Sequence, residues 1–332
     1  MSAPVLAVDA GAALVDGLRD MVAVPSCVYA LGAIGLNVQF GYAGLLNFGA
    51  VASGLVGAYG AAISVDRGLP LWVGVIIGLL AAALLGLLLG LPTLRLRADY
   101  LAIATISAAE IIRVVINSAR LQDITGGPIG LTGIAKDFFA VNPIPDGRYG
   151  WGSFSFNQNT LWTISVGWTL VAILCVFVWG LARSPWGRLL KAVREDEEAA
   201  RSLGKNVFKM KLQAFVIGSV IGGIAGIIFM FDGGFVKPDF FVSQTTFNWY
   251  LIVILGGVAT VLGPPVGAIV YWFVISVLNS LLTQAIGDGW WFIDGTDTGA
   301  VRYVLVGVAI VLLLVFRPQG LLGNKDEAVI GE

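Results

Sequence analysis

Nine runs of about 20 largely apolar residues, each long enough to cross a hydrocarbon core as a helix, dominate this chain. They fall at 22–40, 43–65, 70–91, 99–118, 160–181, 210–231, 246–262, 265–286 and 300–316. Lipid offers the backbone no hydrogen-bond partners, so spanning segments must be helices or a closed barrel, and runs this long favour helices. Composition agrees: 57% of residues are hydrophobic and 12% charged, against about 45–50% and 25% in a soluble domain. The predicted fold is all-α, a polytopic transmembrane helical bundle of about 8–10 spans, read as one transmembrane domain over 1–332. The stretch before the first run lacks the basic start and cleavage pattern of a signal peptide and is read as mature protein. Between the first two runs only Gly41 and Tyr42 intervene, and Asn37, Gln39 and Asn47 bring amides to both sides. One broken or re-entrant helix competes there with two clean spans.

Histidine is absent, which excludes histidine-based triads, imidazole metal sites and a histidine pH switch. No catalytic group and no metal site is predicted. Cys27 and Cys175 both lie in apolar runs and read as inert thiols. Lysine plus arginine is 20 against 21 acids, so no excess charge invites nucleic acid, and the lipid bilayer is the implied surrounding.

Basic residues set the orientation. The segment 183–211 holds Arg183, Arg188, Lys191, Arg194, Arg201, Lys205, Lys209 and Lys211. Arg95 and Arg97 follow the third run, and Arg317 and Lys325 the ninth. Counting back places all three segments in the cytoplasm, with the amino terminus outside, the carboxyl terminus inside, and 119–159, 232–245 and 287–299 external. Glycines four apart (Gly218, Gly222 and Gly226; Gly74 and Gly78; Gly86 and Gly90) predict close helix packing.

Within 183–211, Ser184-Pro185 is a good N-cap and first helical position, so a helix is predicted through Leu203, ending at a left-handed Gly204. Leu189, Val193, Ala200 and Leu203 would form an apolar stripe with nothing in the membrane to bury it. Arg194 with Glu198, and Glu197 with Arg201, are spaced to pair along the exposed side. A helix lying on anionic lipid competes with one docking into a groove on a soluble partner. The acids Glu195-Asp196-Glu197-Glu198 favour docking, since an anionic surface repels them.

Those residues also carry a resemblance. Glu198-Ala199-Ala200 with Gly204 resembles the coupling loop of ABC importer permeases, and the string Arg194 to Gly204 resembles the LIV-type branched-chain amino acid permeases, M subunit. Further matches are Gly35-Leu36-Asn37, the stretch Gly41-Tyr42-Ala43-Gly44-Leu45-Leu46-Asn47-Phe48-Gly49, Leu91-Pro92-Thr93, Glu110-Ile111-Ile112-Arg113, Thr125-Gly126-Gly127-Pro128, Gly256-Gly257 with Gly263-Pro264, and Phe316-Arg317-Pro318-Gln319-Gly320. They run in the family's order from about 25 to 323. Departures are Ile129, where relatives often carry a polar residue, Ala259, where a glycine is usual, and an unmatched 135–159.

The resemblance implies a permease subunit of the bacterial plasma (inner) membrane that moves leucine, isoleucine or valine inward. Its implied partners are a related H-type permease, two cytosolic ATPases and an external binding protein. The coupling residues would be Arg194, Glu195, Glu198, Ala199, Ala200 and Gly204. The chain has no Gly-x-x-x-x-Gly-Lys-Ser/Thr loop, so ATP would be used by the partner subunits and the chain itself needs no cofactor.

Intramembrane polar residues are the candidates for the path. Glu110 lies roughly 16 Å into its run, where charges are rare and are paired or face a cavity, and Arg113 is three residues on. Lining the path competes with a structural ion pair. For Asn37, Gln39, Asn47, Asn117 and Asn279, lining competes with inter-helix bonding. A proton-coupled secondary transporter using Glu110 is the rival class; a urea or short-chain amide permease is the rival within importers.

Overall fold

The structure, a computed structural model, describes residues 10–152, 154–287, 304, 307, 308 and 319–323. The ninth run, the 288–299 segment, Arg317 and Lys325 thus lie wholly or almost wholly outside the described residues. The helices are α1 (Ala10–Asp20), α2 (Val24–Asn37), α3 (Val51–Asp66), α4 (Leu71–Thr93), α5 (Ala98–Ile116), α6 (Gln122–Thr125), α7 (Lys136–Ala140), α8 (Gln158–Arg183), α9 (Pro185–Glu195), α10 (Glu197–Ser202), α11 (Val207–Gly233), α12 (Ser243–Gly256) and α13 (Gly263–Gly287). Among the described residues short strands occur only in connections: β1 (Leu131–Thr132) pairs with β4 (Phe235–Val236), and β2 (Arg148–Trp151) with β3 (Phe154–Asn157).

Among the described residues five helices are long and apolar enough to cross a membrane: Val24–Tyr42, α4, α8, α11 and the Gly263–Gln284 part of α13. Ala98–Ile116 with Ala119–Thr125, bent by 58°, makes a sixth if taken as one span. The runs at 43–65 and 246–262 yield only α3, of 16 residues, and α12, of 14. The remainder of each is non-helical backbone at 43–50 and 257–262. Hydropathy counts such segments as span because their side chains are apolar, although their backbone is not helical.

α11 is the axis, packing against α2, α3 and α4. Its glycines make that possible. Cβ atoms added at Gly218, Gly222 and Gly226 would strike α2 or α3 at Gly35, Ser53 and Gly54, and one at Gly57 would sit 2.7 Å from Gly223 Cα. On α4, Gly74 and Gly78 face α3, and Gly86 and Gly90 face α11. Glycine so placed gains dispersion contact between backbones, which drives association where lipid is as apolar as the helix. α2 and α11 are mostly buried, whereas α4, α8 and α13 expose much of their apolar surface.

α1 lies along α13 with a polar seam: Ser276 Oγ donates to Asp20 (2.8 Å) and Ser280 Oγ to Asp16 (3.1 Å). The 119–159 connection reaches the far end of α11 through the β1–β4 pair. α9 and α10 join α8 to the near end of α11, and Arg95 lies over the Phe208 ring there (5.9 Å). The two described basic connections, 95–97 and 183–211, therefore share one end of the bundle, opposite 119–159. Gly57→Leu is expected to force α3 from α11 and lower stability by about 1–3 kcal/mol. Thermal unfolding in detergent checks it, with Gly180→Leu, where an added Cβ meets nothing, leaving the midpoint unchanged.

Candidate functional site

At the α9 end two helices open their backbones in the same place. α2 continues through one π turn (Val38–Tyr42) and stops at Gly44, which adopts φ +68°. α12 stops at Gly257, and the chain turns through Ala259 before α13 begins. Three buried amides close the gaps. Asn37 Nδ2 donates to the Thr260 carbonyl (2.8 Å), and its Oδ1 accepts from Ala259 N–H (3.0 Å). Gln39 Nε2 donates to the Phe215 carbonyl of α11 (2.8 Å), while its Oε1 accepts from Asn47 Nδ2 (2.9 Å). Asn47 Oδ1 accepts in turn from Gly49 N–H (3.0 Å). Farther along, Phe48 N–H donates to Thr105 Oγ1 of α5 (3.2 Å) and Val51 N–H to Thr246 Oγ1 of α12 (3.1 Å). Side chains thus supply the hydrogen bonds that these non-helical segments cannot make for themselves.

The path candidates divide into two groups. Asn37, Gln39 and Asn47 are brought together and are 1%, 1% and 3% exposed. Glu110 and Arg113 lie elsewhere, on α5. Arg113 pairs with Glu110 and also donates to Asp239 (3.0 Å). Asp239 is the member of this cluster that sequence reasoning missed, since no spacing rule links a loop carboxylate to an arginine 126 residues away. Glu110, with Ser107, Ile111 and Ser243, lines an open groove between α5 and α12. Asn279 faces the polar groove beside α1, and Asn117 ends α5.

The 183–211 loop departs from the single helix predicted. Ser184 Oγ caps α9 at Gly187 N–H (3.3 Å), with Pro185 following as expected. The helix breaks at Asp196, whose extended backbone (φ −148°) lets its carboxylate accept from Ala199 N–H (2.9 Å) and cap α10 instead. That break separates Arg194 from Glu198, so the expected pair does not form, and Arg194 donates to the Gly41 carbonyl. Glu197 does pair with Arg201 (2.6 Å), and also with Lys211. The stripe closes except at Leu203. Val193, Ala200 and Val207 cluster with Leu189 and close it within the chain. What projects is the tip: Leu203 is 77% exposed, Glu195, Glu198 and Ala199 are exposed, and Gly204, at φ +72°, has open space around it.

A glycine-packed bundle with buried helix breaks and a hairpin projecting from one end has the form of a polytopic membrane permease. The family model described as branched-chain amino acid transport system / permease component matches residues 18–314. The chain belongs to this family. It is 33% identical over 312 residues to the high-affinity branched-chain amino acid transport system permease protein LivM of Escherichia coli, covering 91% of this chain and 69% of that one. A probable branched-chain amino acid transport permease protein LivM of Methanocaldococcus jannaschii is 27% identical over 93% of this chain and 94% of its own. The autoinducer 2 import system permease protein LsrC of Photorhabdus laumondii matches more narrowly, at 30% over 44% of this chain and 42% of its own.

Asn37→Leu is expected to leave the Ala259 N–H and the Thr260 carbonyl unpaired, destabilising by about 1–3 kcal/mol for each buried group. Thermal unfolding reads the loss, and faster amide exchange at 257–262 locates it. Ser26→Ala is the contrast: that hydroxyl is buried without a hydrogen-bond partner among the described residues, and its removal is expected to be neutral.

Proposed function

We propose that this chain is the transmembrane permease subunit of an ABC importer that carries leucine, isoleucine and valine into the cytoplasm. The whole chain acts as one permease domain, paired with a related H-type permease. Two cytosolic ATPases supply the work and use the ATP, so this chain holds no cofactor, and an external binding protein delivers the solute. The hairpin tip carries the reading: an exposed Leu203, an unencumbered Gly204 and the acids Glu195 and Glu198 form a surface suited to a groove on a soluble partner. In this orientation α9, α10 and the Arg95–Arg97 connection are cytoplasmic, as their basic residues favour, and 119–159 is external. The family's membership and the LivM relatives support the solute class. Glu110 lines an open groove but is engaged there by Arg113, which speaks against the proton-coupled alternative.

Reconstitution in liposomes tests the class. The assembled four-chain complex with binding protein and ATP is expected to take up leucine, with competition from isoleucine and valine and none from urea. Uptake by this chain alone under a proton gradient would overturn the importer reading, and competition by urea alone would move it to the amide class. The tip has its own test. Gly204→Val forces a β-branched residue into the left-handed region, and Glu198→Lys reverses a tip charge. Each is expected to leave membrane insertion intact and cut uptake per ATP hydrolysed about fivefold or more, the size of coupling free energies of 1–3 kcal/mol. Unchanged ratios in both would remove the tip from coupling.

A further inference from the structure

α9 turns one face away from the tip and toward the break in the first spanning helix. There Arg194 donates to the Gly41 carbonyl, and its stem lies so close to Gly44 that a Cβ on that glycine would meet Arg194 Cγ at 3.2 Å. One turn earlier on the same face, the Lys191 ammonium sits 5.8 Å from the centre of the Tyr42 ring. At the start of α9, Trp186 and Gly187 line a small cavity with Val38 and Tyr42. The 38–44 turn is therefore held from two sides. α9 grips one, and on the other Gln39 ties it to Phe215 and, with Asn47, to the 43–50 segment.

Gly41 has no slack. A Cβ there would strike the Asn37 amide and come within 2.8 Å of Ala259 N. A displacement of Gly41 is thus felt by Asn37, whose amide holds the 257–262 turn. The turn itself is of the π type, which carries one residue more than an α turn and sits one hydrogen-bond register from it, a form common at functional sites. The hairpin on one side, the π turn in the middle and a second break beyond it therefore make a continuous mechanical connection.

We propose that Arg194 is the positioning residue through which movement of the α9–α10 hairpin sets the register of the 38–50 segment. That segment, together with 257–262, is then the switching element at the inner end of the path, beyond any tilt of α8 and α11. The inference rests on the importer reading, in which the hairpin follows the ATPases. It assigns Arg194 an inward task, distinct from the docking of the exposed tip residues.

The test uses the assembled complex of this chain, its permease partner and both ATPases. Amide hydrogen exchange is compared between nucleotide-free and ATP-analogue-trapped states. In the wild type, nucleotide is expected to change exchange at both α10 and 38–50. Arg194→Gln is expected to keep the response at α10 and lose it at 38–50, while Arg194→Lys, still able to donate to Gly41, recovers most of it. With binding protein and leucine present, uptake per ATP falls about tenfold in Arg194→Gln, the weight of one charge-assisted hydrogen bond, and far less in Arg194→Lys. No nucleotide response at 38–50 in the wild type, or a full response in Arg194→Gln, overturns the proposal. Should Arg194→Gln fail to assemble, Tyr42→Cys with Lys191→Cys, in a background with Cys27 and Cys175 changed to Ala and bridged by a short bis-methanethiosulfonate linker that can span the gap between the two side chains, decides the matter. If the hairpin and turn move as a unit, cross-linking leaves the α10 response and transport intact. Loss on cross-linking with recovery on reduction overturns it. A complex that shows these nucleotide responses but takes up no branched-chain amino acid would instead overturn the solute reading.

Discussion

A backbone N–H or carbonyl left unpaired in hydrocarbon is strongly unfavourable, and the α9 end of this bundle is arranged around that constraint. α2 and α12 both stop short and expose main-chain groups within the protein. Asn37, Gln39 and Asn47 meet those groups with amides that both donate and accept, and so can bridge two pieces of backbone at once. The shortness of α3 and α12 and the attachment of 38–44 to α11 follow from having the breaks face one another. An aliphatic residue at any of the three positions would fill the space and still leave the opened backbone without partners.

Close approach is the second requirement, and it depends on the first being met nearby. Gly218 of α11 packs against Gly35 of α2 and against the Gln39 side chain, so the glycine ridge and the amide network share a boundary. Several of the motifs that resemble the permease family are scattered along the sequence but gather here, whereas Glu110 to Arg113 and Thr125 to Pro128 lie elsewhere. Gly35 with Asn37, the 41–49 stretch and the α9–α10 hairpin adjoin the break, and Gly256-Gly257 is held from its other side by Leu321 and Leu322, whose N–H groups donate to the Leu255 and Gly256 carbonyls (2.9 Å each). The departure at Ala259 also gains a physical meaning. Its φ of +59° lies in the left-handed region, which disfavours an L-residue by roughly 1–2 kcal/mol and would suit a glycine. The bond from its N–H to Asn37 helps hold it there.

What was legible in the sequence is what depends on local chemistry. Apolar length marked α4, α8, α11 and α13, glycine spacing marked the faces that touch, and Ser184-Pro185 and Gly204 marked where the hairpin begins and ends. The break at Asp196 was not legible, because a capping aspartate inside a string of four acids looks like a solvated face. Neither were the partners of Arg194 and Arg113. Gly41 lies 153 residues from the first and Asp239 126 from the second, and single-sequence spacing rules reach only a turn or two. The amides were visible as candidates, but their joining of two separate helix breaks needed the fold.

The seam between α1 and α13 bears on how the chain is made. α1 spans only 11 residues and carries Asp16 and Asp20, whose hydroxyl partners Ser280 and Ser276 lie 264 and 256 residues downstream. At about 5–20 residues per second, roughly 10–50 s of translation separates the two. Throughout that interval the two carboxylates lack their hydroxyl partners, and α1 has only its slighter contacts with α2 and with β3, where Arg19 lies over the Phe156 ring (5.5 Å). The seam can close only after α13 has been made, so its formation reports that α13 is in place.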